Sequence, residues 1–456
     1  MAAYIEPRIL KGFRDFLPAG EIARRDLLEK IETSFRSYGL TPIDTPALEY
    51  AEILLGKGGG ETEKQIYRFR DNGGRDVALR FDLTVPFARF LAEHRAELTF
   101  PFKRYHIAKV WRGENTQRGR YREFTQCDFD SVGSDSAAAD FEILHIMHST
   151  LLAVAGGGES STSGESSTGG ENSAGRIVIR LNHRGLFNRF LSRLGALEKS
   201  VDILRTVDKL AKIGRDETLK LLAESVGDAK AEEILSYIGI RGGFDETLAA
   251  MTAAAGSCPE SERLGLIRNF INDAGIADSI VLDPSITRGL DYYTGVVFES
   301  FLADLPAIGS VCSGGRYDNL VGLYSADQKF AVSGVGASLG IDRLIAGLEA
   351  LGRLETRLSY ASIAIACVNG AAGGAYQALA GRLRKEGIFC EVFADEEKLT
   401  RQYQLAEKKG FRWLVIPGSE APLEDPLTLR DLAKRENRDG LSMEELIRMI
   451  RSTPLL

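Results

Sequence analysis

The sequence predicts an α+β protein: a mixed, mostly antiparallel sheet with flanking helices, a helical insertion, and a small α/β domain at the C-terminal end. Three observations predict it. A strand over Phe102–Glu114 runs into a polar loop and returns through REFTQCDFDSVG, which reads as a long antiparallel hairpin. A charged stretch with helical periodicity, from about Phe190 to Ala277, interrupts strand-rich sequence. Beyond a boundary near Gly352–Ser362, strands and helices alternate as β-α-β-α-β.

The bulk numbers bound the function. The chain has 456 residues, 44% hydrophobic and 27% charged, which suits two or three domains with full cores. Its formal net charge of −7 provides no global basic field, so a nucleic-acid partner must find local patches. The cysteines (127, 258, 312, 367 and 390) are scattered without a CxxC pair. That argues against a zinc site or disulfide framework and fits a reducing, cytoplasmic location. No apolar run reads as long enough to cross a membrane and the N-terminus has no apolar signal core, so no membrane partner is expected.

The elements follow in chain order. RFDLTVPFARF reads as a strand with Arg80, Asp82 and Thr84 on one face and Phe81, Leu83 and Val85 on the other. On the return strand of the hairpin Arg122, Phe124, Gln126, Asp128 and Asp130 share a face, and the tip is polar and basic, with Asn115, Gln117, Arg118 and Arg120. Guanidinium and amide groups suit phosphates and base edges. Residues 155–175 are a Gly/Ser-rich run that cannot bury a core and reads as a loop insertion. RIVIRLN resumes as a strand, and the helical block follows. Strands return with SIVLDPSITRGLDYYTGVVFESF, which crowds Arg288, Asp291, Tyr292, Tyr293 and Thr294 ahead of the β-formers Val296, Val297 and Phe298. AVSGVGASLGIDRLIAGL reads as strand, glycines and helix, with Arg343 on the helix. It lacks the GK[ST] of a phosphate-binding P-loop and is a poor GxGxxG. His145 and His148 lie three apart on a helix without an evident third ligand, so packing or solvation suits them better than a metal. No metal site from protein side chains is predicted.

Taken together these pieces resemble the histidyl-tRNA synthetase family of class II aminoacyl-tRNA synthetases. YGLTPIDTPALE is similar to motif 1, WRGENTQRGRYREFTQCD to motif 2 and GVGASLGIDRL to motif 3, with Asp342 where many members carry Glu. The histidine-specific signatures RGLDYYTG and SGGRYDNL match, as do KGFRDFLP and LRFDLTVPFAR. The resemblance covers nearly the whole chain, and implies a catalytic domain over 1–350, interrupted by the loop at 155–175 and the insertion at about 190–277. It implies an anticodon-binding α/β domain over 360–456.

The resemblance implies two chemical steps. Histidine's carboxylate attacks the α-phosphate of ATP, giving histidyl-adenylate and pyrophosphate; the tRNA 3′-ribose then takes the histidyl group and AMP leaves. Joining two anions requires fixed cations at the phosphate, and the planar arginine fork suits that role. By resemblance Arg112 and Arg288 are the catalytic arginines. Asp82, Thr84, Arg112, Gln126, Asp130, Arg288, Tyr292 and Tyr293 bind histidine, with Tyr317 a further pocket residue. Arg112, Glu114, Arg120 and Arg343 bind ATP, with Mg²⁺ carried on its phosphates. Asn115, Gln117 and Arg118 reach the acceptor end of tRNA(His), and motif 1 implies a homodimer. A rival reading is a silent paralogue that serves as a regulatory subunit in histidine biosynthesis. Such proteins lack the anticodon domain and erode the arginines, whereas Arg112, Arg288, Arg343 and the C-terminal domain are all present here.

Overall fold

The computed structural model describes residues 4–56, 61–156, 177–286, 293–318, 320–324, 332–418 and 426–452. The chain divides into two compact units: Met1–Arg14 with Leu27–Leu354, and Asp15–Asp26 with Glu355–Leu456. In chain order the first elements are α1 (Pro18–Ser37), β1 (Thr41–Pro42), β2 (Leu48–Tyr50), α2 (Ala51–Leu55), α3 (Glu61–Gln65), β3 (Arg68–Arg70), β4 (Asp76–Leu79) and α4 (Thr84–Glu93). The hairpin β5 (Phe102–Trp111) and β6 (Glu123–Val132) follows, then α5 (Ala137–Ala155) and β7 (Ile177–His183). Next come α6 (Arg184–Arg193), α7 (Ser200–Val207), α8 (Leu210–Val226), α9 (Asp228–Ile238), α10 (Phe244–Ala255) and α11 (Pro259–Asp273). The unit closes with β8 (Ile280–Leu282), β9 (Val296–Leu302), β10 (Cys312–Tyr317), β11 (Gly334–Gly340) and α12 (Ile341–Ala350).

Among the described residues the main sheet has eight strands in the order β1-β5-β6-β11-β10-β9-β7-β8. Only its two outer pairs, β1 with β5 and β7 with β8, are parallel. The mixed, mostly antiparallel sheet with flanking helices is therefore present, as is the run of helices after β7. Alternation decides which face is which. Cys127 and Phe129 on β6 turn into the core against Phe35 of α1 and Met147 of α5, so Gln126, Asp128 and Asp130 turn to the other face. Helix α5 starts where the Ser136 hydroxyl accepts a hydrogen bond from Ala139 N at 3.1 Å.

Helix α5 corrects one expectation. By length and composition it is apolar enough to cross a membrane, contrary to the reading above. It is a core helix instead, since 61% of its most apolar stretch is buried inside the protein. An ion network fixes it in place. Asp140 is fully buried and accepts from Arg316 Nε of β10 at 2.8 Å and from Arg263 Nε of α11 at 2.5 Å. Both carboxylate oxygens are thus held by arginine, and the inserted helices are pinned to the strand that walls the site.

A second correction concerns RFDLTVPFARF. The strand ends at Leu79, and Thr84–Glu93 is helical. Asp82 Oδ1 accepts from Val85 N at 3.1 Å, the bond of a helix-capping carboxylate, and Pro86 sits in the first turn, where its missing N–H costs nothing. Val85, Ala88 and Leu91 then share the buried face at helical spacing. Over six residues an alternating pattern and the start of a helix look alike, which is why the strand reading failed. Arg80 accordingly does not share the face of Asp82: it donates to the backbone carbonyls of Thr45 (2.5 Å) and Lys109 (3.0 Å).

The second unit contains β12 (Ile363–Ile365), α13 (Gly373–Lys385), β13 (Cys390–Val392), α14 (Leu399–Lys408) and β14 (Trp413–Ile416), the expected β-α-β-α-β. It continues with β15 (Leu427–Asp431), β16 (Glu436–Leu441) and α15 (Met443–Ser452), which sequence reading did not resolve. Its sheet order is β13-β12-β14-β15-β16, parallel through the first three strands and antiparallel beyond. Two of its basic side chains have partners: Lys409 Nζ pairs with Glu391, and Arg384 Nη2 donates to Cys390 O at 3.2 Å.

Candidate active site

A cavity of about 320 Å³ opens on the polar face of β6, β10 and β11. Asp82 and Thr84 enter its wall from the start of α4, and Gln126, Asp128 and Asp130 from β6. Arg112, Glu114 and Arg120 enter from the hairpin loop, Tyr293 and Tyr317 from either side of β9 and β10, and Arg343 from α12. Ten of the sequence-predicted residues thus line one cavity. Asn115, Gln117 and Arg118 do not line it; they are exposed on the loop between β5 and β6. That loop closes as a tight turn, with Gln117 N donating to Arg120 O at 3.2 Å and Arg120 N to Gln117 O at 2.9 Å, around Gly119 at φ 73°. Arg288 and Tyr292 lie outside the described residues, as does the Gly/Ser-rich run beyond Gly156.

The cavity is electrically graded along β6. At the loop end Arg112 Nε donates to Phe81 O at 2.8 Å, and its guanidinium lies 5.2 Å over the Phe124 ring. Arg343 Nη1 donates to Ser310 O at 2.6 Å, and Arg120 Nη1 donates weakly to Glu114 Oε2 at 3.4 Å. At the far end sit carboxylates. Asp130 Oδ1 accepts from Tyr317 OH at 2.7 Å, and its Oδ2 lies 2.8 Å from Arg104 Nη2. Arg104 Nη2 is badly aligned for a hydrogen bond, so this contact is chiefly coulombic. It also lies 4.0 Å from Asp128 Oδ2.

Sequence reading missed Arg104. It stands on β5 directly opposite Asp130, fully buried, with its guanidinium 4.1 Å from the Phe87 ring centroid. It is one residue out of phase with core-facing Tyr105, so it turns to the face of Asp130 across the hairpin, a pairing that only the strand register reveals. Arg14 was part of a matched signature without a role. It pairs with Asp342 and stacks on Tyr121 at 3.9 Å, while Asp342 Oδ2 accepts from Thr125 N at 2.7 Å. Asp342 therefore ties the start of α12 to β6.

Burial dominates the titration of the acidic end. It pushes Asp82 up to about 6, against the Val85 N–H and the nearby charge of Arg112. It pushes Asp128 up to about 7, with Arg104 opposing and the neighbouring Asp130 reinforcing. Asp130 is raised by the same burial, and the Tyr317 phenol is held protonated far above neutral pH. Buried acceptors are left over. Asp82 Oδ2, Gln126 Oε1 and Asp128 Oδ1 have no hydrogen-bond partner among the described residues. A buried acceptor costs free energy until something donates to it, so this end suits a ligand rich in N–H donors.

The glycines singled out in the sequence lie inside the strands rather than between strand and helix. A Cβ at Gly336 would fall 2.0 Å from Asp130 Oδ1, and one at Gly314 would fall 2.2 Å from Gly336 O. They let β10, β11 and the Asp130 carboxyl close up. Gly336→Ala is expected to displace Asp130 and to destabilise the unit by about 1–3 kcal/mol, read as a lower thermal midpoint. An unchanged midpoint would contradict this packing.

The comparisons agree with one another. Residues 12–164 and 165–344 match the family model described as histidyl-tRNA synthetase, and residues 362–453 match that of an anticodon binding domain. A histidine–tRNA ligase of Treponema denticola is 50% identical over 468 residues, 99% of this chain and 100% of that relative. The crystal structure of histidyl-tRNA synthetase from Nostoc sp. PCC 7120 superposes with a TM-score of 0.83 at 31% identity, covering 98% of this chain and 100% of that one. An ATP phosphoribosyltransferase regulatory subunit/histidyl-tRNA synthetase from Bacillus halodurans shares the fold, with a TM-score of 0.70 at 20% identity, over 88% of this chain and 97% of its own.

Proposed function

We propose a division of labour for this cavity from one premise: the chain belongs to the histidyl-tRNA synthetase family. It is a class II aminoacyl-tRNA synthetase whose substrates are ATP, L-histidine and tRNA(His). It ligates histidine to the tRNA through histidyl-adenylate, releasing AMP and pyrophosphate. The regulatory-subunit reading is not favoured, because the ligase likeness runs the full length of the chain and includes the anticodon-binding region.

One observation carries the assignment of roles: arginines and buried carboxylates share a single cavity wall, with Arg112 beside Phe124 toward one end of β6 and Asp130 toward the other. From Phe124, beside Arg112, to Asp130 is six residues of strand, about 20 Å at the usual rise. The acceptor end takes histidine. Asp82, Thr84 and Gln126 receive its α-ammonium, and Asp130 and Tyr317, with Tyr293 and Tyr292, take the imidazole nitrogens. The arginine end takes ATP, with Arg112 and Arg288 at the α-phosphate and Glu114, Arg120 and Arg343 along the nucleotide. Fixed guanidinium groups stabilise the charge that builds there as the carboxylate attacks. Asn115, Gln117 and Arg118, exposed beside the cavity, meet the acceptor end of the tRNA.

Among the described residues no three His, Cys, Asp or Glu side chains gather as a metal cage. The donor set in the wall, with Glu114 and Glu299 as carboxylates, fits Mg²⁺ bound mainly through ATP phosphates and water. Its contribution is to neutralise phosphate charge. The rest of the reading is a cytoplasmic homodimer without a membrane partner, with a catalytic domain over 1–350, a helical insertion at about 190–277 and an anticodon-binding domain over 360–456.

ATP–pyrophosphate exchange, run with each of the twenty amino acids separately, tests the reading. Exchange with histidine alone is expected. A folded protein that binds histidine and exchanges with nothing would restore the regulatory reading.

A further inference from the structure

Arg14 is not part of the cavity wall, yet it touches the chain neighbours of two arginines that are. Its Nη2 pairs with Asp342 Oδ1, one residue before Arg343. Its guanidinium lies 3.9 Å from the centroid of the Tyr121 ring, one residue after Arg120. Asp342 and Tyr121 both line the cavity, and Asp342 is buried. The other carboxylate oxygen of Asp342 accepts from Thr125 N at 2.7 Å, so both of its oxygens are held. Arg14 thus has one contact on α12 and one on the loop between β5 and β6.

Those two elements meet directly. A Cβ at Gly119 would fall 3.2 Å from Arg343 Cα, so the tip of the loop packs on the first turn of α12. The segment that leads into Arg14 is seated on the base of the same loop. Gly12 O accepts from Arg122 N at 2.8 Å, and Lys11 O accepts from Arg122 Nη1 at 3.4 Å. The approach is so close that a Cβ at Gly12 would fall 2.8 Å from the side chains of both Arg122 and Thr116. Phe13 packs edge-on against Tyr67, with ring centroids 6.3 Å apart. The guanidinium of Arg120, by contrast, has only the weak 3.4 Å contact to Glu114 among the described residues. Its placement therefore depends on where the loop backbone is held.

We propose that Arg14 is a positioning residue for ATP: it clamps the loop between β5 and β6 to the start of α12, and so sets where Arg120 and Arg343 meet the nucleotide. The inference rests on the reading of those two arginines as ATP contacts. Arginine suits the clamp because its planar group pairs with a carboxylate through its edge and stacks on a ring through its face. Lysine supplies the charge without that face. The clamp lies at the arginine end of the cavity. Asp130 and Tyr317, at the other end of β6, are held by Arg104 and by each other, so they do not depend on it.

ATP–pyrophosphate exchange tests the clamp, with ATP varied at saturating histidine and histidine varied at saturating ATP. The proteins are wild type, Arg14→Met, Arg14→Lys, Asp342→Asn and the double variant Arg14→Met/Asp342→Asn. Arg14→Met is expected to raise the KM for ATP about tenfold, a usual scale for a displaced binding group. The KM for histidine should stay within about twofold, because that end of the cavity is independent of the clamp. Arg14→Lys should give a smaller rise in the KM for ATP, about threefold. Asp342→Asn should raise it as well, and the double variant should cost no more than the worse single one, because both changes cut the same pair. A merely structural role gives another pattern. It lowers the folded fraction and with it the apparent kcat, but leaves both KM values alone, because KM does not depend on the amount of active enzyme. That pattern, or an equal rise in both KM values, would overturn the proposal. Arg14→Met leaves Asp342 buried without its counter-ion; if that variant does not fold, an unchanged KM for ATP in Arg14→Lys and Asp342→Asn is the overturning result. An active Arg343→Ala enzyme with an unchanged KM for ATP would instead overturn the reading on which the clamp rests.

Discussion

Arg112→Ala is expected to slow histidine-dependent ATP–pyrophosphate exchange by about 10²–10³-fold, the usual cost of losing one preorganised group at a developing charge. The protein should stay folded, because the half-buried side chain forms one hydrogen bond, to Phe81 O at 2.8 Å, and one loose stack on Phe124. Such a bond is worth about 1 kcal/mol. Arg112 has a second effect that separates it from a purely structural arginine. Its charge is one of the groups holding the Asp82 carboxyl down from the value burial alone would impose. Without it Asp82, already at about 6, rises further, and more of it is neutral at neutral pH. Histidine KM should therefore rise too, and part of that rise should disappear in more alkaline assays where Asp82 ionises again. Arg112→Lys restores a charge near Asp82 without the planar fork. It is expected to recover KM much more than kcat. Equal recovery of both would remove Arg112 from the phosphate.

The parts of this site that sequence made legible share a property: they lie on long, regular elements whose period is unambiguous. The ten-residue strand β6 shows Gln126, Asp128 and Asp130 on one face, because Cys127 and Phe129 could only be core. The opposite holds ahead of α4, where six residues could not distinguish a strand from a helix start and Arg80 was placed on the wrong face. Arg104 was illegible for another reason. A charged residue on a hairpin strand is ordinarily solvated, and only the register, which sets it against Asp130, shows that it is a buried counter-ion. The hydrogen bond from Gln126 to Ser338 depends on a third strand, β11, more than two hundred residues away in the chain. Nothing local in either segment signals that contact. The glycines of β11 were visible as a cluster, but their reason, the approach of Asp130 to within what a Cβ would occupy, is tertiary.

Arg104→Met is the substitution expected to damage the molecule most. The change nearly preserves length and apolar stem, and it keeps the contact with the Phe87 ring, so little packing is lost. What is lost is the charge between two buried carboxylates, 2.8 Å from Asp130 and 4.0 Å from Asp128. Breaking such a pair by removing one partner costs about 3–5 kcal/mol, because the remaining charge is buried and unpaired. Arg104 is the largest of the groups that lower both pKa values, so both must rise in the variant. The pH dependence then has a definite sign. Both carboxyls titrate above their unfolded values in the folded protein. Their penalty is therefore absent in acid, grows as pH rises from the unfolded value near 4 through the folded one, and is full above it. Removing Arg104 widens that window upward. Thermal unfolding should show a large deficit relative to wild type near pH 8 that shrinks as pH falls through the raised values, because protonation removes the unpaired buried charge. Histidine binding should fail over the same range, since Asp130 protonated beside Tyr317 no longer accepts from an imidazole. A deficit that does not change with pH would mean that Arg104 acts through packing, and that the acidic end of the cavity is balanced by another cation.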